Sequence, residues 1–201
     1  MKALIQLLNI TFFIIATSLT TTSAFAEYSY SQMYLPSDVP SVVHCIFKDK
    51  YGFIWMGTRA GLFRYDGQNI KNFNKEKDSI VGGYIYNILQ DDNGTLWVLT
   101  NKGVCIYDYS TNNFNFIKDK NDKILMATSA INYKKKLILG GKNKIYCYDS
   151  YNKSIKNLIK FNEINDYNIT NIIAIGNDSL LCSDRWYGMR FIDLKTKHIS
   201  H

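Results

Sequence analysis

The chain has 201 residues, 46% of them hydrophobic and 20% charged. That is globular composition with enough apolar residues for a core, and it excludes wholesale disorder and collagen-like structure. The net charge of +7 comes from Lys dispersed among Asp and Asn rather than from a basic block, so it does not point to nucleic acid.

The first element is an export signal. Lys2 supplies a positive charge, residues 3–19 are largely apolar, and Ala24 and Ala26 stand at the positions a signal peptidase reads. Gln6, Asn9 and Thr11 interrupt the apolar run well short of the ~20 residues a membrane span needs. Cleavage after Ala26 removes one cation and no acid, leaving +6. The mature chain is then expected to be periplasmic, with no membrane contact of its own. Residues 27–40 read as a lead-in. Cys45, Cys105, Cys147 and Cys182 form no CxxC pair, which argues against a zinc or dithiol site. In an oxidising compartment four Cys allow three pairings, and the sequence does not choose among them; single Cys in apolar strands also serve as small buried hydrophobes.

A repeat organises everything that follows. Ile46, Asp49, Gly52, Trp55, Thr58, Gly61, Tyr65 and Asp66 recur as Ile88, Asp91, Gly94, Trp97, Thr100, Gly103, Tyr107 and Asp108, all at one ungapped offset of 42. Two weaker copies keep only the second half. Asp149 closes one, 41 residues after Asp108, and Gly188 with Asp193 marks the other, 44 residues further on. Both lose the Trp and shorten the first turn.

Each unit reads as four short strands. In the first, residues 43–47, 53–58, 62–66 and 70–73 are apolar-rich and separated by turn residues. Asp49 starts a tight turn in which its carboxylate can bond the backbone, and Gly52 supplies positive φ. One four-stranded sheet cannot bury both faces, so the units must stack. A period of 40–45 residues with four strands is the signature of a β-propeller. The fold class expected is therefore all-β, with blades near 41–82, 83–125, 126–166 and 167–201. Seven blades would need about 294 residues, so the sequence reads as the first part of a larger propeller, the alternative being four blades that close alone.

The string Asp-x-x-Gly-x-[Ile/Leu]-Trp-x-x-Thr-x-x-Gly-x-x-x-Tyr-Asp resembles the two-component regulator propeller repeat. The first copy, Asp49 to Asp66 with Gly57, fits closely; the second departs at Leu99, where the family favours Gly. The resemblance implies an exported sensor region of a bacterial hybrid two-component protein. It implies polysaccharide-derived oligosaccharides as ligands, and further propeller repeats or a dimer partner as protein contacts. The histidine kinase, receiver and DNA-binding parts of such proteins are not in this sequence.

Chemistry is sparse. No GxSxG, HExxH, Walker loop or Asp-x-Asp-x-Asp cation loop appears, so no catalytic residue, metal or cofactor is expected. Trp55 and Trp97 read as packing between blades, and Asp66, Asp108, Asp149 and Asp193 as turn acids. The turns between the second and third strands each carry a cation: Arg59, Lys102, Lys142 and Arg185. They could line one channel mouth and attract an anionic ligand, with Trp186 and Tyr187 as exposed stacking rings, or simply be solvated. Two other readings remain open: a propeller enzyme of the lyase or hydrolase kind, and a non-catalytic structural propeller.

Overall fold

The computed structural model describes residues 42–74, 81–161 and 168–200. The expected signal sequence and lead-in lie outside the described residues. Alternating side chains and turn residues every few positions produce strands throughout, sixteen among the described residues, with no helix. The first blade comprises β1 (Val43–Lys48), β2 (Ile54–Thr58), β3 (Gly61–Tyr65) and β4 (Ile70–Asn72). The second comprises β5 (Ile85–Gln90), β6 (Leu96–Thr100), β7 (Gly103–Asp108) and β8 (Asn113–Phe116). The third comprises β9 (Ser129–Tyr133), β10 (Lys136–Gly141), β11 (Lys144–Asp149) and β12 (Ser154–Lys160). The fourth comprises β13 (Ile169–Ile175), β14 (Ser179–Asp184), β15 (Gly188–Asp193) and β16 (Ile199–Ser200). Each sheet is an antiparallel meander in chain order, so one repeat is one blade of a β-propeller.

The repeated Asp, Gly and Trp form a single device. One oxygen of Asp49 accepts the backbone N–H groups of Tyr51 and Phe53 at 2.9 and 3.0 Å, and the other accepts the Trp55 indole N–H at 2.8 Å. Asp91 does the same for Asn93, Thr95 and Trp97, at 3.0, 2.9 and 3.0 Å. Gly52 and Gly94 sit at φ of 90° and 81°, where a side chain would be strained. In the third blade, without Asp or Trp, the turn shrinks to Lys134-Lys135, both at positive φ, as a tight hairpin requires. At the opposite end of the first two blades, Thr58 and Thr100 close the next turn. Each hydroxyl donates to a Gly carbonyl, Gly61 or Gly103, at 2.9 Å and accepts a turn N–H at 3.0 Å.

Blades stack through their alternating faces. Trp55 and Leu62 pack against Ile85, Val98 and Tyr107 of the second blade. Trp97, Leu99 and Val104 meet Leu137 and Leu139 of the third, and Ile138 and Ile145 meet Ile172, Leu180 and Ile192 of the fourth. Gly57 and Gly140 occupy the point of closest approach. A Cβ on either would come within 2.7 Å of the following blade's first-strand isoleucine, Ile85 or Ile169. None of the four cysteines is in a disulfide. Burial raises the Cys45 thiol to about 11 and the Cys105 thiol to about 12, which keeps both protonated and inert.

The stack ends on a bare apolar face. Ile173 and Phe191 both flank Leu181 across the ladder, and Ile175 and Met189 share their side of the fourth sheet. Ile173 is 53% exposed and Met189 63%, whereas the opposite side of the same sheet is packed on the third blade.

Two outcomes follow from this packing. Trp55→Ala and Trp97→Ala should each destabilise the chain by ~3–5 kcal/mol in urea unfolding. Trp55→Phe, which keeps most of the volume but loses the bond to Asp49, should cost less. The bare face should make the isolated chain self-associate. Sedimentation velocity should show this, and Ile173→Lys with Phe191→Lys should restore a monomer.

Candidate functional site

Residues that depart from the repeat help to build a broad concavity at one end of the blades. In β1 the pairing register slips between Val43 and Cys45, leaving His44 without a partner opposite. The same slip occurs in β5 at Tyr86 and in β13 at Thr170. A bulge adds one residue to a strand and re-aims its side chain. All three unpaired residues line one cavity of about 730 Å3 at the end of the strands where the Thr58 and Thr100 turns lie.

The turns between second and third strands supply the rim, through Arg59, Asn101, Arg185 and Trp186. His44 stacks on Tyr84 with centroids 4.6 Å apart, and Tyr84 is followed by Tyr86 at 4.9 Å. The mouth therefore has an aromatic stair along the first strands of blades one and two. Opposite it, Trp186 is 76% exposed and the Arg185 guanidinium lies 5.2 Å from its ring centroid.

The fourth blade positions this pair by replacing the turn threonine with a carboxylate. Asp184 stands where Thr58 and Thr100 stand, facing Gly188 across the hairpin. One oxygen accepts the N–H groups of Trp186 and Tyr187 at 2.7 and 3.2 Å, and the other accepts that of Asn168 at 2.6 Å. Its charge is thus occupied by three backbone dipoles. The side-chain charges that line the cavity besides it are the two Arg.

Of the residues singled out in the sequence, Arg59, Arg185 and Trp186 meet in this cavity. Lys142 lines an adjoining cavity of about 360 Å3, which shares Tyr86, Thr128 and Asn168 with the first. Lys102 is exposed on its turn and lines neither of the two, and Tyr187 stands on the same loop as Trp186 but outside the lining. The sequence reading missed His44, Tyr84 and Tyr86 as site residues. Its usable signal was the aromatic alternation at 84 and 86, just where the second unit begins. Among the described residues no group of three or more His, Cys, Asp or Glu is arranged to hold a metal ion.

The comparisons with known proteins bear on the same repeats. Residues 37–60 and 79–102 match the two component regulator propeller family. No curated protein sequence matches the chain. Among solved structures, the chain is similar to the extracellular domain of a protein described as a hybrid two-component system from B. thetaiotaomicron. That likeness has a TM-score of 0.67 and 22% identity, over 85% of this chain and 22% of that one. A second such extracellular domain from B. thetaiotaomicron gives 0.68 and 21%, over 79% of this chain and 24% of that one. A streptogramin B lyase structure gives 0.59 and 15%, over 79% of this chain and 53% of that one. At these identities the likeness carries the fold. The chain spans less than a quarter of the length of these two extracellular domains.

The four repeated acids at the third-strand ends are turn devices. Asp66, Asp149 and Asp193 each accept the N–H groups two and three residues on, and Asp108 accepts both the N–H and the hydroxyl of Ser110. These bonds to the ionised form pull Asp66, Asp108 and Asp193 below the ordinary carboxylate value of 3.8. A depressed folded value contributes stability above the unfolded value and loses it as pH falls through the folded one. The stability gap between the native chain and Asp66→Ala or Asp193→Ala should therefore be constant at neutral pH and close below pH 3.8. Urea midpoints measured across that range will check it.

Proposed function

We propose that this chain is the ligand-recognising part of an exported sensor in a two-component signalling protein, and that it binds oligosaccharides without catalysing their breakdown. The observation that supports this most directly is the convergence of three strand bulges and three turns on one mouth. Such a mouth offers two things. The faces of Tyr84, Tyr86 and Trp186 can carry the apolar side of sugar rings, and Arg59 and Arg185 can pair with carboxylate or sulfate. Polysaccharide-derived oligosaccharides, anionic ones above neutral ones, have that combination. The sensor reading draws on the two regulator-propeller repeats and on the extracellular domains they resemble. The amino-terminal signal pattern supports a periplasmic position.

The bare face of the fourth blade belongs to the same reading. Further propeller repeats are its occupant, since the similar sensor domains are more than four times as long as the matched part. A fifth blade would cover Ile173, Ile175, Met189 and Phe191 as the fourth covers the third.

The test is titration of matched neutral, uronate-containing and sulfated oligosaccharides onto the chain at low and high salt. Anionic ligands should bind more tightly and weaken with salt, because exposed charges are screened over ~8 Å at physiological ionic strength. Arg59→Ala and Arg185→Ala should remove that preference, while Trp186→Ala should weaken both classes at every salt concentration. Equal affinity for neutral and anionic ligands in the native chain would overturn the cationic mouth. Turnover of any ligand would favour the propeller-enzyme reading instead.

A further inference from the structure

The end of the blades away from the mouth holds a different cavity, and the repeat itself shows how it arose. Between the first and second blades the space beside Asp49 and Trp55 is filled by large side chains. Tyr109 donates its hydroxyl to Asp49 at 2.8 Å and packs edge-on against Tyr51, with centroids 4.6 Å apart. The Arg64 guanidinium lies 4.3 Å from the Phe53 ring centroid and donates to the Tyr107 hydroxyl at 3.0 Å. Phe114 closes the space, 4.8 Å from Tyr107.

One blade later the frame is kept and the filling is gone. Asp91, Trp97 and Tyr148 stand where Asp49, Trp55 and Tyr107 stand, with Trp97 and Tyr148 edge to face at 4.7 Å. Tyr51, Phe53, Arg64, Tyr109 and Phe114 have become Asn93, Thr95, Ile106, Ser150 and Ile155. Every one of the five is smaller. Ser150 still reaches Asp91, at 3.2 Å, so the bond between blades survives without the ring. The result is a cavity of about 390 Å3 between the second and third blades. That is the size of a small-ligand site.

Its walls are chemically divided. Tyr148, Trp97, Ile106 and Ile155 make one side apolar and partly aromatic, while Asn93, Thr95 and Ser150 bring hydrogen-bonding groups to the other. Lys118 and Lys153 stand at the edge, Lys118 paired with Asp122 at 2.9 Å. A smaller cavity of about 260 Å3 shares Asp91, Asn93 and Ser150 and brings in Lys135 and Lys136 against Asp92. The two cavities together face four Lys and two Asp, one of which, Asp91, is already saturated with donors. A ring with one apolar face, several hydroxyls and one negative charge matches each of these features.

We propose that the cavity between the second and third blades is a binding site for a single anionic pyranose of the hexuronate class, separate from the mouth. The apolar face of the ring lies against Tyr148, its hydroxyls meet Asn93, Thr95 and Ser150, and its carboxylate points to the Lys edge. The probes are D-glucuronate and D-galacturonate, with D-glucose as the neutral control, titrated calorimetrically onto the full chain. A saturable uronate signal that glucose lacks is expected. Ser150→Tyr and Thr95→Phe put back the filling of the preceding junction, and should abolish that signal while leaving the thermal midpoint unchanged or higher. Lys153→Ala should weaken uronate about tenfold, the scale of one charge-assisted hydrogen bond. The titrations are repeated in a chain carrying both Arg59→Ala and Arg185→Ala, which removes the cations of the mouth, and a saturable uronate signal should persist there. Absence of uronate binding, equal binding of glucose, or binding lost in that double variant but kept in Lys153→Ala would each overturn the proposal. Should Ser150→Tyr fail to fold, Lys153→Ala decides alone, and unchanged affinity there sinks the site.

Discussion

Everything in the first two blades hangs on one buried carboxylate per repeat. Asp49 gathers two backbone N–H groups, an indole N–H and the hydroxyl of a tyrosine from the next blade. A buried acid is costly unless its charge is met by donors, and four donors meet this one. Each bond therefore does two jobs: it satisfies the carboxylate, and it sets a piece of geometry. The backbone donors fix the turn between first and second strands, the indole fixes the rotamer of the largest core residue, and the tyrosine fixes the next blade. Asp91 repeats the arrangement with Ser150 in place of the tyrosine.

That economy explains how the blades can vary without losing register. The frame of Asp, Trp and the following blade's hydroxyl keeps the sheets aligned, so the residues around it are free to change size. In one junction they are aromatic and seal the space; in the next they are small and leave it open. In the third and fourth blades the frame itself is absent. Register there rests on a hairpin of two residues at positive φ, and on the Lys134–Asp178–Lys195 bridges, both at 2.9 Å. These are exposed pairs of the kind that contributes little to stability, so apolar packing of Ile138, Ile145, Ile172 and Ile192 carries that junction.

The mouth follows a different logic. Much of its lining comes from places where the regular pattern breaks, bulged residues in three first strands and a turn where Asp replaces Thr, and Arg59 and Asn101 of the regular turns complete the rim. Regular positions of a blade are committed to neighbours on both faces. A bulged residue escapes that pairing, which is why the bulges and the cavity lining coincide.

The repeat determined most of what could be read from the sequence alone. An ungapped offset of 42 with Gly and Asp at turn positions leaves four strands per unit as the one consistent reading, and the strands of the first two blades lie within about a residue of where that spacing puts them. The buried Trp pair and the turn role of the four third-strand acids were legible for the same reason. They recur, and recurrence marks what every blade needs. Arg59, Arg185 and Trp186 were also visible, as cations and an off-register ring in equivalent turns. His44, Tyr84 and Tyr86 were not, because a bulge is a one-residue slip in pairing, and pairing partners are set by the neighbouring strand rather than by local sequence. The inter-blade cavity was hidden more deeply still. Asn93, Thr95, Ile106, Ser150 and Ile155 lie 62 positions apart at their extremes. Only the stacking of one sheet on the next brings their lost volume to one place.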